Sequence, residues 1–217
     1  MRALTPPATR ILFLKAKKNI TLALYAFSGI VAFCCIVIVG GVGSSLYLVA
    51  NGSGISTHSV GPWLAWVNEA RPGSDPYTRA HFAQKGRLNL SSDIAATYTA
   101  TRDDEGIRLH SSCEYTILGQ DLDATWWSIS VFDDKGLLIP NSSNRFAYSR
   151  DTIALRPNGR FILTLAREAR PGNWLPTGGA GRLAVVLQLI EPSTDFDPGQ
   201  TANIVKALPS IKRERCR

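Results

Sequence analysis

Between Asn19 and Asn68 the chain has no Asp, Glu, Lys or Arg. Fifty residues without a side-chain charge are hard to reconcile with an ordinary water-facing surface. Histidine is scarce too: His58, His81 and His110 are the whole set, none within H-x-x-x-H spacing of another. No C-x-x-C occurs among the four cysteines. These gaps leave no metal-binding pattern, and no metal or cofactor is expected. The G-x-S-x-G nucleophile elbow and the Walker and Rossmann glycine patterns are missing as well. Gly178–Arg182 ("GGAGR") follows "NWLPT" and leads into a strand-like run, so it reads as a loop.

Within the charge-free stretch, Ile20–Ala50 is almost entirely apolar. A membrane-spanning helix needs roughly 20 such residues, and Gly40, Gly41 and Gly43 are tolerated in lipid. Arg2, Arg10, Lys15, Lys17 and Lys18 precede the run, whereas the first charges after it are Glu69 and Arg71. The positive-inside rule then sets residues 1–19 in the cytoplasm and the chain beyond about residue 51 outside it. A cleaved signal peptide is the competing reading. Its apolar core would be about 7–15 residues long with a small-x-small cleavage site, and Leu48 is too large for Leu48-Val49-Ala50 to serve. An uncleaved signal anchor over 20–50 is expected, in contact with the lipid bilayer. Gly40/Ser44 and Gly41/Ser45 are small-xxx-small pairs that suit helix packing.

The net charge of +7 is a topological signal. Five basic residues belong to the N-terminal flank and four to the last seven residues, "IKRERCR", which hold one Glu. The remainder carries 15 basic against 16 acidic residues. A nearly neutral domain gives no reason to expect nucleic-acid binding.

A Gly/Ser-rich tether is read over 51–62, a domain over 63–193 and a tail over 194–217. Trp63–Ala70 suggests a short helix, its tryptophans one turn apart. Asp75 as N-cap, Pro76 at the first helical position and Gly86 as the stop delimit another. From there the period changes to two. Ile94, Ala96, Tyr98 and Ala100 alternate with polar neighbours, as do Ile107, Leu109, Cys113, Tyr115 and Ile117. Trp127, Ile129 and Val131, then Phe161, Leu163 and Leu165, then Leu183, Val185, Leu187 and Leu189 continue the pattern. Shorter runs lie at 137–139, 145–148 and 152–155. Many short strands between turn residues, with no βαβ rhythm, predict a mainly β fold, an antiparallel sandwich with one or two short N-terminal helices. "TYTATRDDEGIRLHSS" and "SISVFDDKGLLIPNSS" echo one another, each a hairpin with a glycine, Gly106 or Gly136, at the positive-φ corner.

Cys34 and Cys35 fall mid-membrane. Cys113 and Cys216 lie on the side where disulfides persist and would tie the tail to the domain. Cys113 also sits on an apolar alternation, so a buried free thiol is the alternative. Carboxylates cluster at Asp103–Glu105, Asp121/Asp123 and Asp133/Asp134. Two carboxylates can hydrolyse glycosides, making Asp133 and Asp134 the catalytic candidates, but each cluster falls where a turn attracts Asp. The other polar set is Asn141, Ser142, Asn144, Arg145, Arg150 and Asn173 with Trp126 and Trp174. Guanidinium forks and indoles recognise sugars and carboxylates, so Trp126, Asn141, Asn144, Arg145 and Trp174 are the ligand-binding candidates. The alternative is that Asn141 and Arg145 tie down a loop while Trp174 plugs the sandwich end.

The stretches "GPW", "DPYTRA", "LHSSCEYTILGQDLDATWWSISVFDDKGLLIPNSSNRFAYS" and "PNGRFILTLAREARPGNWLPTGGAGRLAVVLQLIEP" carry a family resemblance. Over about Gly61–Pro192 the chain resembles the bacterial family called domain of unknown function 1214. The resemblance implies a jelly-roll-like β domain, which in long members follows a second domain, number 1254. In short membrane-anchored members that companion would come from a separate protein. The family brings no catalytic residues with it. The expectation is a single-pass inner-membrane protein, N-terminus cytoplasmic, displaying a periplasmic β-sandwich as a non-enzymatic binding or assembly module of the cell envelope. The alternative is an envelope carbohydrate-active hydrolase using turn carboxylates.

Overall fold

A computed structural model describes residues 7–52, 56–67, 69–85, 90–91, 94–193, 196 and 208–216. Arg2 and the helix stop at Gly86 lie outside the described residues, as does most of the 194–217 stretch. The chain divides into two units, Met1–Asn51 and Gly52–Arg217.

The first unit is helical: α1 (Pro7–Val37), a π-helical turn (Ile38–Val42) and α2 (Gly43–Asn51). Lys17–Asn51 is long and apolar enough to cross a membrane; its 35 residues would reach about 52 Å at 1.5 Å per residue, beyond the ~30 Å hydrocarbon core. The π turn falls on the glycines Gly40 and Gly41. The Ser44 and Ser45 hydroxyls both donate to the Gly41 carbonyl, at 3.0 and 2.8 Å.

The second unit is a mainly β two-sheet sandwich. Its strands are β1 (Thr57–Val60), β2 (Trp63–Trp66), β3 (Ala95–Ala100), β4 (Cys113–Gln120), β5 (Ala124–Asp133), β6 (Ala147–Ser149), β7 (Arg160–Ala166), β8 (Asn173–Pro176), β9 (Leu183–Pro192) and β10 (Ser210–Cys216). One sheet runs β1-β2-β3-β9-β5-β6 and the other β10-β4-β7-β8. The period-two residues of β5, β7 and β9 meet between the sheets. Trp127, Ile129, Leu163, Leu165, Val185, Leu187 and Leu189 are all fully buried. Trp127 stacks on Phe161 across the gap, ring centroids 5.2 Å apart. Emptying a position like Trp127 would cost about 3–5 kcal/mol. Gly119 is there because Phe161 leaves no room: a Cβ would sit 2.3 Å from the Phe161 ring.

Asp75 caps α3 (Pro76–Lys85), its Oδ1 accepting from the Tyr77 and Thr78 amides at 2.9 and 3.1 Å. Burial pushes the Asp75 pKa up, but the bonds from Thr78 and Tyr77 outweigh it and hold the carboxyl below its usual range.

Several local expectations change. Trp63–Trp66 is a strand rather than a helix, with Trp63 and Ala65 buried on one face and Leu64 and Trp66 half-buried on the other. Its neighbours β1 and β3 supply the pairing that decides between two readings of the same spacing. The 51–62 tether therefore contains β1. Part of the 194–217 tail is β10, which pairs with β4 and puts Ile211 in the core. Of the three shorter runs, Ala147–Ser149 forms a strand, Leu138 makes an isolated bridge to Phe132, and 152–155 lies outside the strands. β8 runs parallel to β7. Leu163 faces Asn173 and Ala166 faces Pro176, so the chain backtracks only about 10 Å, a distance a six-residue link can cover without a crossover helix.

Candidate functional site

β6 ends one sheet and β8 the other, on the same side of the sandwich. Tyr148 of β6 and Trp174 of β8 meet there, the Trp174 amide donating to the Tyr148 hydroxyl at 3.2 Å. Trp174 is buried, and its indole N–H donates to the Ala166 carbonyl at 3.0 Å. Arg145 lies over this pair. Its guanidinium carbon is 5.8 Å from the Tyr148 ring centroid and 5.7 Å from that of Trp174. Nη1 also reaches the Trp174 carbonyl at 3.5 Å.

The loop before β6 is built to present Arg145. Asn141 donates to the Ile139 and Arg145 carbonyls at 3.1 and 3.0 Å and accepts from the Arg145 amide at 3.0 Å. Asn144 takes φ +47°, a left-handed corner that Asn tolerates. The two asparagines therefore shape the loop, and Arg145 is the exposed group it displays. No carboxylate among the described residues pairs with Arg145. An exposed guanidinium steadied by two aromatic faces keeps N–H donors for an incoming carboxylate or phosphate.

The structure brings Asn141, Asn144, Arg145 and Trp174 together and leaves Trp126 elsewhere. Trp126 alternates with Trp127 along β5, so it points away from the core, and its indole N–H donates to Asp151 at 3.1 Å. Asn173 is buried and acts as a strap, bonding the Ala154 amide and carbonyl and the Ile162 carbonyl. Arg150 is structural as well, holding the Ala124 carbonyl at 2.9 Å and Asp121 at 3.3 Å, while Trp127 donates to the other Asp121 oxygen at 3.0 Å. Tyr148 belongs to the platform as well, although the sequence marks only the short run that contains it. An aromatic two residues before a turn, on an edge strand, is the signal that was there to use.

The catalytic candidates are occupied with the turn. Asp133 Oδ1 accepts from the Lys135 and Leu137 amides at 2.9 and 2.8 Å, and Asp134 is 3.8 Å from Arg182. Neither lines either of two hollows formed by the described residues. One, of about 390 Å³, lies between the β1–β2 turn and residues 101–106. The other, of about 160 Å³, is bounded by Ser111, Ser112, Cys113, Glu114, Arg167 and Glu168. Cys113 is joined to Cys216 in a disulfide. Cys34 and Cys35 are free thiols on the helix. His81 stacks on Trp66 with centroids 4.0 Å apart, and no metal-holding group of His, Cys, Asp or Glu occurs among the described residues.

Residues 94–194 match the family described as "Protein of unknown function (DUF1214)". The VPA0106 protein from Vibrio parahaemolyticus has a similar fold, with TM-score 0.58 and 15% identity, covering 99% of this chain and 47% of its own. An uncharacterised protein from Burkholderia cenocepacia aligns with TM-score 0.43 and 14% identity over 80% of this chain and 41% of its own. The chain thus spans about half the length of these two structures. No curated protein matches it.

Proposed function

We propose that this chain, whose residues 94–194 match the DUF1214 family, is a membrane-anchored binding module of the bacterial envelope. In this reading the apolar helix is an uncleaved anchor in the inner membrane. The N-terminus is cytoplasmic and the sandwich stands in the periplasm. The basic flank through Lys18 and the charge-free run after it support that orientation. The disulfide supports an oxidising compartment. The observation that carries the binding role is Arg145, presented by an asparagine-stapled loop over Tyr148 and Trp174 without a carboxylate partner among the described residues. Its chemistry fits an anionic group on an envelope glycan or on a partner protein. The module would work beside a companion, the separate domain 1254 protein that the family resemblance implies.

Full chain in detergent, titrated with a carboxylate-bearing oligosaccharide and its neutral counterpart, tests the binding role. The charged form should bind and Arg145→Ala should weaken it at least tenfold, about 1.4 kcal/mol. Asp133→Asn should leave binding unchanged. Equal binding of both sugars, or none, removes the anion reading. Release of reducing sugar that Asp133→Asn abolishes would make the protein a hydrolase instead.

A further inference from the structure

We infer that Cys113–Cys216 is an exchangeable disulfide, opened by an external dithiol with Cys113 as the leaving thiolate. It acts as a redox latch on the C-terminal strand.

Position comes first. β10 is the outermost strand of its sheet, and the bond closes its last residue onto β4. Cys216 is exposed, while Cys113 is buried and borders the hollow lined by Ser111, Ser112, Glu114, Arg167 and Glu168. A thiolate can therefore reach the Cys216 sulfur from solvent, and exposed disulfides are the labile ones.

The leaving sulfur has a hydrogen-bond chain behind it. Ser112 Oγ lies 3.7 Å from Cys113 Sγ and 2.8 Å from His110 Nδ1. His110 Nδ1 accepts from the Ser112 amide at 3.1 Å, so the Ser112 hydroxyl is the donor of the pair and can turn its hydrogen to the departing sulfur. Arg167 lines the hollow together with the carboxylates Glu114 and Glu168. The step balances. An attacking thiolate forms a bond to Cys216 Sγ, the Cys113–Cys216 bond breaks, and its electron pair leaves on Cys113. The second thiol of the dithiol then displaces Cys216, so the dithiol is oxidised and the two cysteines are reduced.

Opening the latch has a structural consequence. β10 places Ile211 in the core, and the Pro209 carbonyl just before it accepts from the Trp63 indole at 2.6 Å. It also sets Arg213 3.8 Å from the buried Asp103. Reduction loosens all three at once and exposes the edge of β4.

The test uses the full chain with Cys34→Ala and Cys35→Ala, in detergent and without denaturant. Reduced glutathione should form an adduct that peptide mass spectrometry finds on Cys216, with Cys113 alkylatable. Ser112→Ala should slow adduct formation about tenfold, the loss of a hydrogen bond to a charged group. It should leave the melting temperature of the oxidised protein unchanged. A glutathione adduct on Cys113, reduction that needs denaturant, or a rate indifferent to Ser112→Ala would overturn the proposal.

Discussion

The two DDxG hairpins share one wiring diagram and live in different surroundings. In each, the first Asp accepts two turn amides on Oδ1: Glu105 and Ile107 for Asp103, Lys135 and Leu137 for Asp133. Each pairs its amide with the carbonyl four residues on, and each turns through a glycine at φ +81° or +77°. The difference lies in the second oxygen. The Asp133 side chain is half-buried, whereas that of Asp103 is only 1% exposed and depends on Arg213 of β10, 3.8 Å away. Local sequence sets the shape of a turn, and the neighbour that covers it sets how much that turn matters.

The largest way to break the contrast is to release the neighbour. Changing Cys113 and Cys216 together to Ser should lower stability by about 2–5 kcal/mol, the usual range for a disulfide closing a long loop. Urea unfolding of the full chain in detergent reads this directly. With β10 loosened, the two hairpins should also become alike in their sensitivity to mutation. Next in size, Asp103→Ala should cost about 2–3 kcal/mol because it strands buried turn amides, although Arg213 keeps Glu105 at 2.7 Å. Asp133→Ala should cost about 1 kcal/mol, since water replaces what it loses. Equal costs in the disulfide-bonded protein would show that burial of Asp103 carries no energetic weight.

Gly106→Ala and Gly136→Ala sharpen the comparison from the other side. Both glycines have positive φ and open space where a Cβ would go, so each change should cost about 1 kcal/mol from backbone strain alone. A marked inequality in thermal melts would mean that the turns are not equivalent.

The smallest effect is a pH dependence near β10. Hydrogen bonds from Arg170 and then Arg215 hold the Glu114 carboxyl below its usual 4.5. A depressed carboxylate contributes stability above its unfolded pKa and loses that contribution as pH falls through the folded one. Melting temperatures of the wild type and Glu114→Gln should therefore differ at neutral pH and converge below about pH 4.5. A constant gap down to pH 3 would contradict the ion-pair account.

The central strands were legible because their burial follows the period of two. Trp127, Ile129, Leu187 and Leu189 pack where alternation puts them. Alternation fails at strand ends: Ile94 and Ile107 fit the pattern yet are 48% and 44% exposed, because no facing strand covers them. β10 was unreadable for the opposite reason. An edge strand needs one buried anchor, Ile211, and can carry charge elsewhere, so "IKRERC" looks like a tail. At the candidate site the residue types pointed to Asn141, Arg145 and Trp174. Trp126 was grouped with them because proximity in sequence hides which face of β5 a side chain occupies.

Display of the sandwich outside the cytoplasm is what the functional account stands on. Protease added to spheroplasts expressing the full chain with an N-terminal tag tests it in one step. The account predicts that the domain beyond Asn51 is digested while a tagged fragment containing Lys17–Asn51 survives in the membrane. A domain that stays intact until the spheroplasts are lysed would contradict it.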